Sequence, residues 1–129
     1  MFRERIAPSL KRILGGLNGG PPSNSQLIIG GNTVQILDAM SSLSPSYIIC
    51  PVETDQGKFM SQLGDNQPMT IRINMDPSVF LPGNAAAAMI EAKRVLDLAQ
   101  RFSNTSTGTL IPFDADPPII NEVAGFMRG

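Results

Sequence analysis

Hydrophobic and polar positions divide the chain into a helical start, a central region of short extended runs and a helical end. In residues 1–17, apolar side chains such as Phe2, Ile6 and Leu10 recur every three or four positions. That spacing predicts an amphipathic helix with a basic polar face. Residues 18–25 are rich in Gly, Pro, Ser and Asn, which is typical of a linker.

The central region, residues 26–76, alternates strand-forming residues with turn residues. Most connections between the runs are short enough for hairpins, so the pattern predicts an antiparallel meander sheet. The five expected strands are Gln26–Ile29, Thr33–Leu37, Tyr47–Glu53, Lys58–Leu63 and Pro68–Met75.

The last expected strand has the clearest alternation, with apolar residues on one face and Thr70, Arg72 and Asn74 on the other. If it pairs with the strand before it, Lys58 and Gln62 become neighbours of this polar face. Such a face is either plain solvent-exposed sheet or a surface that contacts RNA.

Two helices are predicted in residues 84–127, from Ala85 to about Phe102 and from Pro117 to about Met127, with Asn84 and Asp116 at their N-cap positions. The first helix carries an apolar stripe with an alanine-rich flank that allows close approach of another backbone. A five-stranded sheet with one apolar face needs a cover, and a helical pair hides more apolar area across a two-fold axis than over its own sheet. The residues expected at that dimer interface are Ala88, Met89, Ala92, Val95 and Leu96.

The length and charge of the chain limit its domain number and the kinds of partner that it can bind. The 129 residues, 42% hydrophobic, suffice for one domain but not for two. The net charge of −1 argues against nucleic-acid binding through bulk positive charge, although residues 1–20 carry four basic side chains and one acidic one. No run approaches the roughly 20 apolar residues of a membrane span, so we expect a soluble, intracellular chain.

Little in the sequence predicts catalysis or metal binding. The chain has no His, which removes the usual general base and most zinc sites. Its single cysteine, Cys50, lies in an apolar run and is expected to be a buried or subunit-interface thiol. Asp114 and Asp116 are two carboxylates without further nearby ligands, so helix capping by Asp116 is favoured over a cation site. We therefore expect no catalytic group, no metal and no cofactor.

The order of elements resembles that of single-stranded RNA bacteriophage coat proteins. The likeness is strongest in MTIRINMDPSVF from Met69, in NAAAAMIEAKRVLDLAQRF from Asn84 and in the closing IINEVAGFMRG. It implies an α+β fold in which two C-terminal helices pack on the partner subunit's sheet in an interlocked homodimer. The chain departs from that family by an N-terminal helix in place of the first hairpin and by a short loop at Gly64–Gln67.

By this resemblance the protein is a capsid protein of the virion, assembled in the bacterial cytoplasm, and its partners are further copies of itself and single-stranded genomic RNA. It is then no enzyme and needs no membrane. The RNA-binding residues are expected to be Lys58, Gln62, Thr70, Arg72 and Asn74, with possible recognition of a translational-operator hairpin.

Two other functions are alternatives to that of a capsid protein. One is a peripheral membrane or adaptor module that docks through the basic helix at residues 1–14. The other is a carboxylate-dependent enzyme that uses Asp114 and Asp116.

Overall fold

The computed structural model describes residues 1–18 and 25–129. The expected linker at residues 18–25 therefore lies almost entirely outside the described residues. A π-helical turn, Phe2–Ile6, leads directly into helix α1, Ala7–Asn18. Ala7 is buried in the core, so this helical segment packs against the rest of the chain.

After residue 25 the chain alternates strands and helices. Short 3₁₀ turns, Val34–Ile36 and Pro77–Phe80, precede two of the helices. The elements are β1 Gln26–Leu27, α2 Leu37–Ser41, β2 Tyr47–Cys50, α3 Gln56–Leu63, β3 Thr70–Asn74, α4 Ala85–Ala99, β4 Thr105–Gly108 and α5 Pro117–Arg128.

In the described residues, the sheet has four strands in the order β1-β2-β3-β4, and every neighbouring pair is parallel. The prediction of a five-stranded antiparallel meander is therefore wrong. Consecutive parallel strands need a crossover connection, and each connection here contains a helix. Two of the expected strands, Thr33–Leu37 and Lys58–Leu63, lie in those helical connections.

Helix α3 forms because its start is capped and its apolar residues share one face. The Asp55 side chain accepts a hydrogen bond from the backbone N–H of Lys58, which satisfies a donor of the first turn. Phe59 and Met60 are fully buried, and Leu63 packs against the same core three to four residues later. The spacing is helical, not the alternation of a strand.

Strand β4 lies in the polar segment Ser103–Gly108, for which the residue pattern predicts a loop. Its four residues, TSTG, are all half-buried, and none is apolar. Thr105 nevertheless fits beside the helical layer because its Oγ1 donates to the Ala99 carbonyl at 3.1 Å. β-Branched residues at alternate positions favour the extended backbone here without help from a hydrophobic run.

The two faces of the sheet have different roles. Strand side chains alternate between faces, and Ile48, Cys50, Ile71 and Ile73 belong to the single core that also contains buried residues of all five helices. We call this the helix face. Ile49 is buried but does not belong to that core, so it lies on the opposite, inner face.

The alanine stripe of α4 packs within its own chain. Ala88, Ala92 and Val95 are 1% exposed or less and belong to the core, while Met89 and Leu96 are half-buried. The helix makes contacts with β3, β4 and α5 of the same chain. Four of the five expected interface residues, all but Leu96, thus pack on the core of their own chain without a second subunit.

Candidate functional site

Polar side chains are concentrated on the inner face of the sheet. The parallel register aligns Tyr47 with Thr70, and Arg72 with Ser106. Asn74 follows Arg72 by two residues and points to the same side. Thr70, Arg72 and Asn74 therefore share one face, and Ile71 and Ile73 between them are fully buried on the other.

Arg72 is the charged group of this face, and its side chain is held in a defined position. Its Nε donates to the Asn74 Oδ1 at 2.9 Å. Its alkyl chain crosses Gly108, where an added Cβ would lie 2.8 Å from Arg72 Cδ. Among the described residues, the two terminal guanidinium nitrogens have no hydrogen-bond or ion-pair partner. The arginine is thus positioned while most of its donors are free.

A crevice of about 110 Å³ opens beside Asn74, at the carboxyl edge of the sheet. In parallel sheets this edge is where ligands usually bind, because the loops that follow the strands converge there. The inner-face side chain Ile49 forms part of the wall. The lining residues are Gly30, Ile49, Pro51, Val52, Glu53, Asn74, Met75, Pro77 and Leu110. The wall is mainly apolar, with one carboxylate and one amide.

A buried glutamine fixes the geometry of this edge. The Gln56 Nε2 donates to the carbonyl of Cys50 at 3.1 Å and to that of Asn74 at 2.8 Å. These are the last residues of β2 and β3, so one side chain joins two strand ends across their gap. Gln56 is 5% exposed, and each of its polar atoms has a partner.

An ion pair between Arg94 and Glu91 on α4 holds the Gln56 side chain in place. Arg94 donates to the Gln56 Oε1 at 2.8 Å and to both oxygens of Glu91 at 2.7 and 2.8 Å. Glu91 also accepts from the backbone N–H of Asp76 at 3.0 Å. The hydrogen bond from Arg94 lowers the pKa of Glu91 and raises that of Arg94, and burial opposes both shifts. Every polar side-chain atom of Gln56 and Glu91 has a partner, so this cluster holds the two strand ends in a fixed geometry.

Cys50 is a structural thiol in this arrangement. It is fully buried on the helix face, and burial raises its pKa to about 12. A thiol that stays protonated at neutral pH is a poor nucleophile. Of the two positions expected for this thiol, buried or at a subunit interface, the structure shows the buried one.

The structure brings together three of the five residues expected to bind RNA. Lys58 and Gln62 are exposed on α3, whose buried residues pack on the helix face. The sheet therefore separates them from Thr70, Arg72 and Asn74, and the expectation that they are cross-strand neighbours is wrong. The reason is the helical conformation of Lys58–Leu63.

Sequence reasoning missed two parts of the site. Gly108 leaves room for the Arg72 side chain, but the polar TSTG segment that contains it predicts a loop. The alternation of threonines at 105, 107 and 109 is the signal that indicates a strand there. No pattern in the sequence indicates the crevice, because the loops that line it come together only in a parallel sheet.

The acidic loop before α5 shows no grouping of ligands. Asp114 is exposed, and Asp116 stands at the N-cap position, where its backbone N–H donates to the Phe80 carbonyl at 2.7 Å. Its side chain makes no capping hydrogen bond. Within residues 1–18 and 25–129, no three His, Cys, Asp or Glu side chains cluster as metal ligands would.

The basic start of the chain is partly neutralised by the fold. Arg3 forms an ion pair with Asp38 of α2 at 2.6 Å and donates to the carbonyl of Gln35. Both partners of the pair are more than half exposed, so its contribution to stability is small. None of the described helices has the length and apolar character needed to cross a bilayer.

Comparisons with known proteins give no relative from which the role of the site could be inferred. No family model matches the chain, and neither a curated protein nor a solved structure matches it.

Proposed function

We propose that the protein binds a small organic anion at the inner face of its sheet. The anionic group is held by Arg72, and the apolar body of the ligand lies in the crevice at the carboxyl edge. The observation that carries the proposal is a positioned arginine whose terminal nitrogens have no partner among the described residues, hydrogen-bonded to Asn74 in the wall of a mainly apolar crevice.

Arginine suits this role because its guanidinium is always charged and offers donors in a fixed fork that matches a carboxylate or phosphate. The hydrogen bond to Asn74 and the packing over Gly108 restrict the side chain before a ligand arrives. Less rotamer freedom is then lost on binding. Asn74 lies both beside Arg72 and in the crevice wall, so one ligand can reach both.

The crevice favours a ligand with one anionic end. Ile49, Pro51 and Leu110 offer apolar contact, while Glu53 places a carboxylate at the same opening. A second negative charge on the ligand would meet that carboxylate. We therefore expect phenyl phosphate to bind more tightly than inorganic phosphate, and benzoate more tightly than terephthalate, whose second carboxylate lies at the opposite end of the ring.

Calorimetric titration of the full chain with phenyl phosphate tests the proposal. Replacing Arg72 with Ala removes charge-assisted hydrogen bonds worth about 1.5–3 kcal/mol, so the dissociation constant should rise about 10- to 100-fold. Arg101→Ala is the matched control, since Arg101 is an exposed arginine at the end of α4, away from the crevice lining. Equal affinity in wild type and Arg72→Ala, or an equal loss in Arg101→Ala, would overturn the proposal.

The RNA-packaging function implied by the coat-protein resemblance stays a prediction. The antiparallel meander on which it was argued is replaced by a parallel sheet, yet Thr70, Arg72 and Asn74 still share a face. Titration with an RNA hairpin under the same conditions separates the two functions. Binding of RNA, but of neither phenyl phosphate nor benzoate, would favour the capsid function over the small-ligand site.

A further inference from the structure

We propose that two copies of the chain pair through their sheet edges, β1 of each copy beside β4 of the other, and so close an eight-stranded parallel barrel. The partner at the two outer strands, β1 and β4, is then a second copy of this chain. This inference rests on the sheet and its edges, and it does not require that Arg72 bind an anion.

The topology is that of half a barrel. The four strands are parallel and adjacent in sequence order, and the buried residues of all five helices join one core on one face. Parallel sheets are normally covered on both faces. The closed eight-stranded barrel has parallel strands in sequential order with helices on the outside, and twice as many strands as this sheet.

Both outer strands have an unpaired edge in the described part of the chain. Strand β1 pairs with β2 alone, and β4 pairs with β3 alone. The N–H groups of Ile71 and Met75 donate to the carbonyls of Asn104 and Gly108. Since backbone groups of a strand point to alternate sides, Thr105 and Thr107 direct theirs away from β3, toward a missing neighbour.

Exposed apolar side chains stand at both edges, just past the strand ends. Ile28 follows β1 and is 61% exposed, while Leu110 and Ile111 follow β4 and are 73% and 50% exposed. Within one copy, β1 ends level with Thr105, at the start of β4. Barrel closure staggers the strands, and a stagger of about four residues between β1 and the β4 of the other copy brings their ends to the same rim. Ile28 of one copy then approaches Leu110 and Ile111 of the other, and two-fold symmetry repeats the contact on the opposite side.

Closure would enclose the polar inner face of both copies. Tyr47, Thr70, Arg72 and Ser106 would point into the barrel, where side chains from alternate strands fill the interior in layers. Each copy contributes one Arg72 to that space. The ligand site described above would then be enclosed by both copies.

Sedimentation velocity of the wild-type chain from 1 to 100 µM, without added ligand, is the first test. We expect a species of twice the 13.8 kDa chain mass. Ile28→Lys and Leu110→Glu should each weaken the dimer at least tenfold. Ile90→Lys should leave it unchanged, because Ile90 is equally exposed, at 72%, but lies on helix α4.

The double variant with Ile28→Lys and Leu110→Glu gives the sharper test. Across the proposed edges, the lysine of one copy meets the glutamate of the other, so the dimer should re-form, and high salt should weaken it. A wild-type monomer at 100 µM, or a dimer that Ile90→Lys disrupts as strongly as Ile28→Lys does, would overturn the proposal. Because no anion is present, failure here is distinguishable from failure of ligand binding.

Discussion

At the scale of single residues, the proposed ligand binding at the inner face depends on Arg72 and on Gly108, which the arginine side chain crosses. The polar alternation of Thr70, Arg72 and Asn74 could be predicted from the sequence, because a strand places every second side chain on one face. The position of the Arg72 side chain could not be predicted in this way. It depends on Gly108, which follows 36 residues later and becomes a neighbour only through the parallel pairing of β3 with β4.

Substitution of Gly108 with Ala tests this dependence. The added methyl group would lie 2.8 Å from Arg72 Cδ, so the arginine side chain must move. We expect affinity for phenyl phosphate to fall, while the melting temperature changes little because a flexible side chain yields. Gly125→Ala, with open space around its Cβ, is the control for a glycine change. Unchanged affinity in Gly108→Ala would show that the position of Arg72 is not critical.

At the scale of elements, sequence reasoning succeeded where one pattern was long or strongly apolar. Helices α4 and α5 were predicted within a few residues, and β2 and β3 lie inside the expected strands. It failed for α2 and α3, which have five and eight residues. Helices of one or two turns show too little of the 3.6-residue period to be told from a short extended run.

The N-cap of α3 gives the element-scale prediction. Replacing Asp55 with Ala removes the hydrogen bond from the Lys58 N–H, so the free energy of unfolding should fall by about 1 kcal/mol. Urea denaturation of the two proteins measures the change. Asp97→Ala on the exposed side of α4 should change stability by less than about 0.5 kcal/mol. An equal effect of both substitutions would contradict the capping role.

At the scale of the whole molecule, the direction of the strands decides where function can lie. Turn-like sequences such as Thr54–Gly57 and Gly64–Gln67 favoured hairpins, and with them an antiparallel sheet. In the structure, those residues start α3 and follow its end. Because the strands are parallel, their carboxyl ends lie at one edge of the sheet. On the helix side, this edge is held by the hydrogen bonds that link Gln56, Arg94 and Glu91. The crevice is a consequence of that topology.

The measurement that most directly tests the central claim is a ¹⁵N–¹H NMR titration of the full chain with phenyl phosphate. If the inner face of the sheet is the binding surface, the largest shifts should appear at the Arg72 Nε–H and at the backbone amides of Asn74 and Gly108. Shifts confined to the exposed basic residues Lys11 and Arg12 of α1, with none on the inner face, would contradict the account.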